Sequence, residues 1–266
     1  NVRAKTPLVH NITNYVTVND VANVLLAAGG SPIMSDDADD VEDITSICGG
    51  LNINIGTLNK NTIPSMFLAG KKANALGHIV LLDPVGAGAS RLRTDTANRL
   101  MQEVRFDAVR GNISEIKTLC TGSGSTKGVD ADAVDAVTEA NLDDGVQLVK
   151  TFAQRAGCIV TVTGAIDLVS DGERCWCIRN GRAEMSRITG TGCQLSALMT
   201  AFLVANPDHK LAAAAAAVCM MGLAGEIGWA NMQPGDGNST YRNRIIDAIF
   251  NMTGDALEKG AKYELR

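Results

Sequence analysis

The chain has 266 residues, 45% of them apolar, 20% charged and only 4% aromatic, with a formal net charge of -5. No dense Lys/Arg stripe accompanies that charge and few rings are available for base stacking, which excludes an electrostatic nucleic-acid binder. An apolar content carried by Ala, Val, Leu and Ile suits a sizeable core and excludes a disordered chain.

Seven cysteines (48, 120, 158, 175, 177, 193 and 219) form an odd, scattered set without a CxxC pair. That pattern fits a reducing cytoplasm better than a disulfide framework. On a strand Cys175 and Cys177 share a face, but no neighbouring ligand completes a tetrahedral metal site. No secretory leader pattern opens the chain. The uncharged stretch Leu211 to Gly225 falls short of the roughly 20 apolar residues of a bilayer span, so a buried helix and no membrane partner are expected.

In chain order, a short apolar segment (Leu8, Val9) precedes a predicted helix over 14–28, stopped by Gly29-Gly30. Leu51-Asn52-Ile53-Asn54-Ile55 alternates as a strand, a helix follows over about 63–75, and the run 78–82 reads as a strand covered on both faces. The rhythm continues with a helix near 95–104, a strand at 108–110, a short helix from Ser114, a helix near 144–156 and a strand at 158–162. Alternating strands and helices predict a mostly parallel sheet between helical layers. Leu168 to Ser170 and Arg174 to Ile178, joined through Asp171-Gly172, predict antiparallel strands at one sheet edge. From Cys193 onward the chain reads as almost wholly helical, over 193–205, 210–230 and 241–260. No linker divides residues 1–266, which are read as one domain.

Ligands of an open parallel sheet sit beyond the carboxyl ends of its strands. Four such places carry informative residues: Asn54 to Thr57, Asp83 to Gly88, Arg110 to Glu115 and Thr161 to Gly164. Thr189-Gly190-Thr191-Gly192-Cys193 precedes a long apolar helix, so its backbone amides and the helix N-terminus can hold an anion; an ordinary Gly-rich turn is the plainer reading. Asp83 can hold Mg2+ or cap a turn, and Asn112, Ser114 and Glu115 can serve a site or simply start a helix. Gly122 to Lys127 lacks the residue order of a phosphate-binding P-loop. Three scattered histidines do not make a hydrolytic triad. The acidic run Asp36 to Asp40 reads as a solvated loop.

Together, the segments Pro7 to Asn14, Ala27 to Met34, Ile53 to Leu58, Leu82 to Gly86, Arg110 to Ile116, Gly128 to Asp130 and Gly190 to Cys193 resemble the hydroxyethylthiazole kinase family of the ribokinase-like superfamily. The resemblance covers nearly the whole chain. It implies a three-layer α/β/α sandwich with a mostly parallel central sheet and antiparallel edge strands. It further implies ATP-dependent phosphorylation of the hydroxyl of 4-methyl-5-(2-hydroxyethyl)thiazole in thiamin salvage. By motif, Met34 and Gly190 contact the thiazole, with Asn14, Val16, Gly56 and Thr57 nearby. Arg110 and Thr163 bind ATP, and Asp83 and Glu115, helped by Asn112, organise Mg2+. The Gly190-Thr191-Gly192-Cys193 turn is the phosphoryl-transfer centre, with Cys193 a positioning residue more than a base. Family likeness also implies a homotrimer whose thiazole pocket lies at the subunit boundary, where the segment near Asn14 and Met34 faces a neighbour's Cys193. The alternatives are a hydroxymethylpyrimidine or pyridoxal kinase, which are expected to carry Asp at the Cys193 position, and an ATP-dependent NAD(P)H-hydrate dehydratase.

Overall fold

The computed structural model describes residues 1–121 and 136–266. Gly122 to Lys127 and the Gly128-Val129-Asp130 segment lie outside the described residues. The strands are β1 (Leu8–Ile12), β2 (Ser31–Met34), β3 (Gly50–Asn54), β4 (Ile79–Asp83), β5 (Ala108–Asn112), β6 (Ile159–Thr163), β7 (Asp167–Ser170), β8 (Cys175–Ile178) and β9 (Tyr263–Leu265). They form one nine-stranded sheet in the order β2-β1-β3-β4-β5-β6-β7-β8-β9. The first six are parallel, and β7, β8 and β9 pair antiparallel at one edge.

The α-helices are α1 (Val2–Lys5), α2 (Val18–Ala28), α3 (Val41–Ile47), α4 (Thr62–Leu76), α5 (Arg91–Glu103), α6 (Ile113–Thr121), α7 (Leu142–Ala156), α8 (Thr191–Ala205), α9 (Lys210–Ala230), α10 (Asn238–Asn251) and α11 (Gly254–Gly260). Buried side chains divide into two cores, one on each face of the sheet. One contains residues of α2, α8, α9 and α10, the other residues of α3 to α7.

Several elements depart from the sequence reading. The helix predicted over 14–28 starts only at Val18, because residues 15–17 make a turn in which the Thr17 amide donates to Asn14 O at 3.2 Å. β2 is a strand that Pro32 obscures; proline lacks an amide hydrogen and is tolerated on an edge, which is where β2 lies. The helix predicted over 241–260 breaks at Met252, and Thr253 caps α11 by accepting from the Ala256 amide at 3.2 Å. The C-terminal region is not wholly helical, since β9 pairs with β8. With its preceding turn, α9 forms a 24-residue apolar element over Pro207–Ala230, long enough to cross a membrane by length and composition. Most of it is instead buried in the protein, packed against α8 and α10. The segment between β8 and α8 also lies close against α9, where Gly222 and Gly225 lack Cβ atoms, which would lie 2.7 Å from the Asn180 backbone and 2.2 Å from Met185 Sδ.

Strand parity decides which residues reach the site. Along β4, Val80 and Leu82 enter the core of α3 to α7, while Ile79 and Leu81 enter the α8 core, so Asp83 points toward α8. The same rule sends Asn11 of β1, Asn52 and Asn54 of β3, Arg110 of β5 and Thr161 and Thr163 of β6 to the α8 face. Alternation in β3 therefore does not mark a wet face. Asn52 and Asn54 are 0% and 1% exposed beneath α8.

Candidate active site

The sheet order reverses at β1, whose neighbours β2 and β3 follow it in sequence on opposite sides. That reversal opens a crevice at the carboxyl ends of β1 and β3, the usual ligand position in such sheets. Asn14, beyond β1, donates from Nδ2 to Asn54 Oδ1 at 3.0 Å across it. Asn54 Nδ2 then donates to Asp83 Oδ2 at 2.7 Å, and Ser196 Oγ of α8 donates to the same oxygen at 2.8 Å.

Asp83 is fully buried. Its Oδ1 has no hydrogen-bond partner and lies 3.5 Å from Arg110 Nη1, an ion-pair distance. Burial pushes the carboxyl pKa up, against the opposing pull of Arg110, Ser196 and Asn54. Arg110 Nη2 donates to Thr163 Oγ1 at 2.5 Å, which joins the two proposed nucleotide residues directly. Glu115 sits at the start of α6, where Oε1 accepts from the Gly86 amide at 2.8 Å and Oε2 from the Asn112 amide at 2.7 Å. Asn112 Oδ1 accepts in return from the Glu115 amide at 2.8 Å, so this carboxylate also serves as a helix-start device. Burial, then the charge of Asp83, pushes Glu115 up to about 7, although the two amides pull the other way.

The head of α8 closes the cluster. Gly190 caps the helix at φ 81°, and a Cβ there would lie 2.2 Å from Thr17 Cγ2. The Gln194 amide donates to Gly190 O at 2.9 Å. The amides of Thr191, Gly192 and Cys193 precede that bond and have no acceptor within the helix, which makes them available to an anion. Gly192 abuts the Arg110 guanidinium. Anion-binding amides, an arginine and two carboxylates thus converge on one end of the sheet.

Cys193 is 8% exposed, and its Sγ accepts from Asn14 Nδ2 at 3.2 Å. Burial first, then the Asp83 charge, push the thiol above its ordinary pKa. The expectation that Asn14 meets the thiol of a neighbouring subunit is therefore corrected. α8 packs over β1 and β3 of its own chain, which brings its first turn to Asn14.

The Gly56 amide donates to Asn54 Oδ1 at 2.9 Å and the Tyr15 amide to Thr57 Oγ1 at 3.3 Å, so this turn joins the crevice. Val16 is 58% exposed and stands outside the hydrogen-bonded cluster. Met34 ends β2 beside Asn11 and is half-buried against the α8 core. Sequence reasoning missed Asn54 as an organiser, along with Ser196 and Thr17; strand parity under a covering helix was the signal that could have found Asn54. His10 is buried between Thr45 Oγ1 at 3.0 Å and Ser35 O at 2.9 Å, a structural setting.

The sequence model of the hydroxyethylthiazole kinase family matches residues 1–255. A hydroxyethylthiazole kinase of Clostridium acetobutylicum is 56% identical over 264 residues, covering 99% of this chain and 97% of that protein. The chain belongs to the hydroxyethylthiazole kinase family. A second hydroxyethylthiazole kinase, from Clostridium beijerinckii, is 49% identical over 99% of this chain and 94% of its own length. The solved hydroxyethylthiazole kinase protein of Pyrococcus horikoshii superposes with a TM-score of 0.88 at 32% identity, covering 100% of this chain and 96% of that one. A pyridoxal kinase of Staphylococcus aureus in complex with ADP gives a TM-score of 0.66 at 14% identity over 97% of both chains, which shows the shared ribokinase-like fold alone. Within the hydroxyethylthiazole kinase family, the cluster beneath α8 is this chain's candidate phosphoryl-transfer centre.

Proposed function

We propose that this chain transfers the γ-phosphoryl group of ATP to the hydroxyl of 4-methyl-5-(2-hydroxyethyl)thiazole, a step of thiamin salvage. One observation carries the reading beside family membership: Cys193, not a carboxylate, heads α8 and touches Asn14 in the β1/β3 crevice. Phosphoryl transfer asks mainly for in-line positioning and charge stabilisation. Arg110, Thr163 and the first amides of α8 would hold the phosphates. Asn14, Gly56, Thr57 and Met34 would hold the alcohol, with Cys193 shaping the wall and directing the hydroxyl. A thiol held protonated by burial is a weak base, so its part is positioning.

The residues fit Mg2+. Asp83 offers a buried oxygen without a hydrogen-bond partner, and each Glu115 oxygen keeps a lone pair beside its amide bond. Mg2+ commonly takes one or two carboxylates, with phosphate and water completing its shell. Bound there, it would neutralise charge on the transferring group.

The same reading includes a homotrimer with the thiazole pocket at the subunit boundary. It is supported by apolar side chains left open near the crevice, with Tyr15 78% and Val16 58% exposed. Cytoplasmic residence is supported by seven free cysteines. The experiment is ADP release by purified protein with Mg-ATP, offered the thiazole alcohol, hydroxymethylpyrimidine, pyridoxal and hydrated NADH in turn. Release dependent on the thiazole alcohol is the expected result; release dependent only on another acceptor overturns it.

A further inference from the structure

We propose that Arg93 is a positioning residue of the phosphoryl-transfer reaction, tying the acceptor-side turn at Gly56 to the turn that follows Asp83. The inference rests on the thiazole kinase reading above. Arg93 lies in the first turn of α5, behind the Ser90 cap, whose Oγ accepts from the Arg93 amide at 3.3 Å. Its half-buried side chain reaches back over two neighbouring loops. Nη2 donates to Gly56 O at 2.7 Å, and Nη1 donates to Val85 O at 3.4 Å, the long end of the range.

These two carbonyls belong to turns leaving adjacent parallel strands, where Asn54 of β3 is the register partner of Asp83 of β4. Each turn already grips the site by its other end. The Gly56 amide donates to Asn54 Oδ1, the relay atom between Asn14 and Asp83. The Val85–Gly86 peptide is held from both sides: its carbonyl accepts from Arg93 and its amide donates to Glu115 Oε1 at 2.8 Å. Because a peptide unit is planar, rotation of the carbonyl turns the amide with it. Arg93 therefore fixes the direction from which Glu115 is held.

The room for this contact is specific. Gly86 has φ 74°, and a Cβ there would lie 2.1 Å from Arg93 Nη1. A planar fork with several donors serves two carbonyls at once, whereas an ammonium is a single point donor. Beside the contact opens a cleft of about 320 Å³ lined by Tyr15, Gly56, Thr57 and Arg93 itself, so the clamp borders space next to the acceptor turn.

The test compares the full-length wild type with Arg93→Met and Arg93→Lys, using Mg-ATP and the thiazole alcohol. Steady-state kinetics, calorimetric ATP binding and thermal melting are measured on each. The expected result for Arg93→Met is a kcat lowered about tenfold to a hundredfold, as for a small misplacement of reacting groups. KM for both substrates and the ATP dissociation constant should stay within about threefold, and Arg93→Lys should recover only part of kcat. Unchanged kcat in Arg93→Met, or full recovery with Lys, overturns the proposal. So does a kcat loss that follows the unfolded fraction in both variants, since that marks a structural contact only. A wild type without thiazole-dependent ADP release overturns the acceptor assignment instead, before any variant is compared.

Discussion

Asn14 presents an N–H, not a carbonyl, to the sulfur of Cys193, at 3.2 Å. The orientation follows from the far end of the relay. Asp83 Oδ2 accepts from Asn54 Nδ2, which turns Asn54 Oδ1 toward Asn14 and the Gly56 amide. Asn14 must then offer its own NH2 to both Asn54 and Cys193, while its oxygen accepts from Thr17 Oγ1 at 3.1 Å. A buried acceptor on β4 thus sets the polarity of the crevice as far as the thiol.

Removing that donor should act on the acceptor side. Asn14→Ala is expected to raise KM for the thiazole alcohol by about tenfold, the worth of one net hydrogen bond, and to leave KM for ATP nearly unchanged. Steady-state kinetics with each substrate varied separately check it, and an equal rise in both constants would contradict the assignment.

If Cys193 positions the hydroxyl, Cys193→Ala should lower kcat less than the roughly 100-fold or more expected on loss of a general base. Cys193→Asp should remain active, because a carboxylate there can accept the same Asn14 N–H. A folded, ATP-binding Cys193→Asp enzyme with no turnover would remove the argument from shared position.

The raised pKa of Glu115 has a stability signature. Its folded value of about 7 lies above the ordinary 4.5, so between those pH values the folded state holds more protons than the unfolded one. Stability contributed by this group is present below pH 4.5 and is lost as pH rises through about 7, by about 3 kcal/mol in full. Metal-free protein should therefore melt lower at pH 8 than at pH 6 by more than the Glu115→Gln variant does. Added Mg2+ favours the ionised form, so the Mg2+ concentration for half-maximal activity should fall across the same rise in pH. A pH-independent Mg2+ requirement would count against Glu115 as a ligand.

Gly190→Ala combines a left-handed φ with a methyl group 2.2 Å from Thr17 Cγ2. A loss of about 2 kcal/mol or more is expected in chemical denaturation, with a steep fall in kcat because the head of α8 must shift. Thr17→Ser in the same chain relieves the clash and not the φ, so it should return part of the stability.

How much was legible in the sequence varied with the kind of signal. Asp83 was readable because an uninterrupted apolar strand ends in a carboxylate before Pro and Gly, and few structures other than a covered parallel strand explain that run. Arg110, Thr163 and Glu115 were readable as strand-end or helix-start residues, and the structure gathers them with Asp83. Asn54 was quoted only as part of a strand end. Its role depends on α8, more than 130 residues later in the chain, covering what looks like a polar face. β2 was hidden because Pro32 speaks against a strand, whereas the late start of α2 agrees with the β-branched run Val16-Thr17-Val18, which disfavours a helix there. Val16 and Met34 do not join the hydrogen-bonded cluster. Only the family resemblance pointed to them.

Alanine and glycine dominate α9, and such residues have almost no rotamer freedom to lose on burial. That layer is held by nearness of backbones more than by side-chain volume, and its tolerance is correspondingly one-sided: small residues cost little entropy, while any added atom needs space already taken. Gly222→Ala, meeting fixed Asn180 backbone at 2.7 Å, should cost about 1–3 kcal/mol, and Gly225→Ala less, because the Met185 thioether can swing aside. Paired denaturation curves would rank them. A helix with no catalytic motif of its own thus has little room to grow at Gly222 and Gly225.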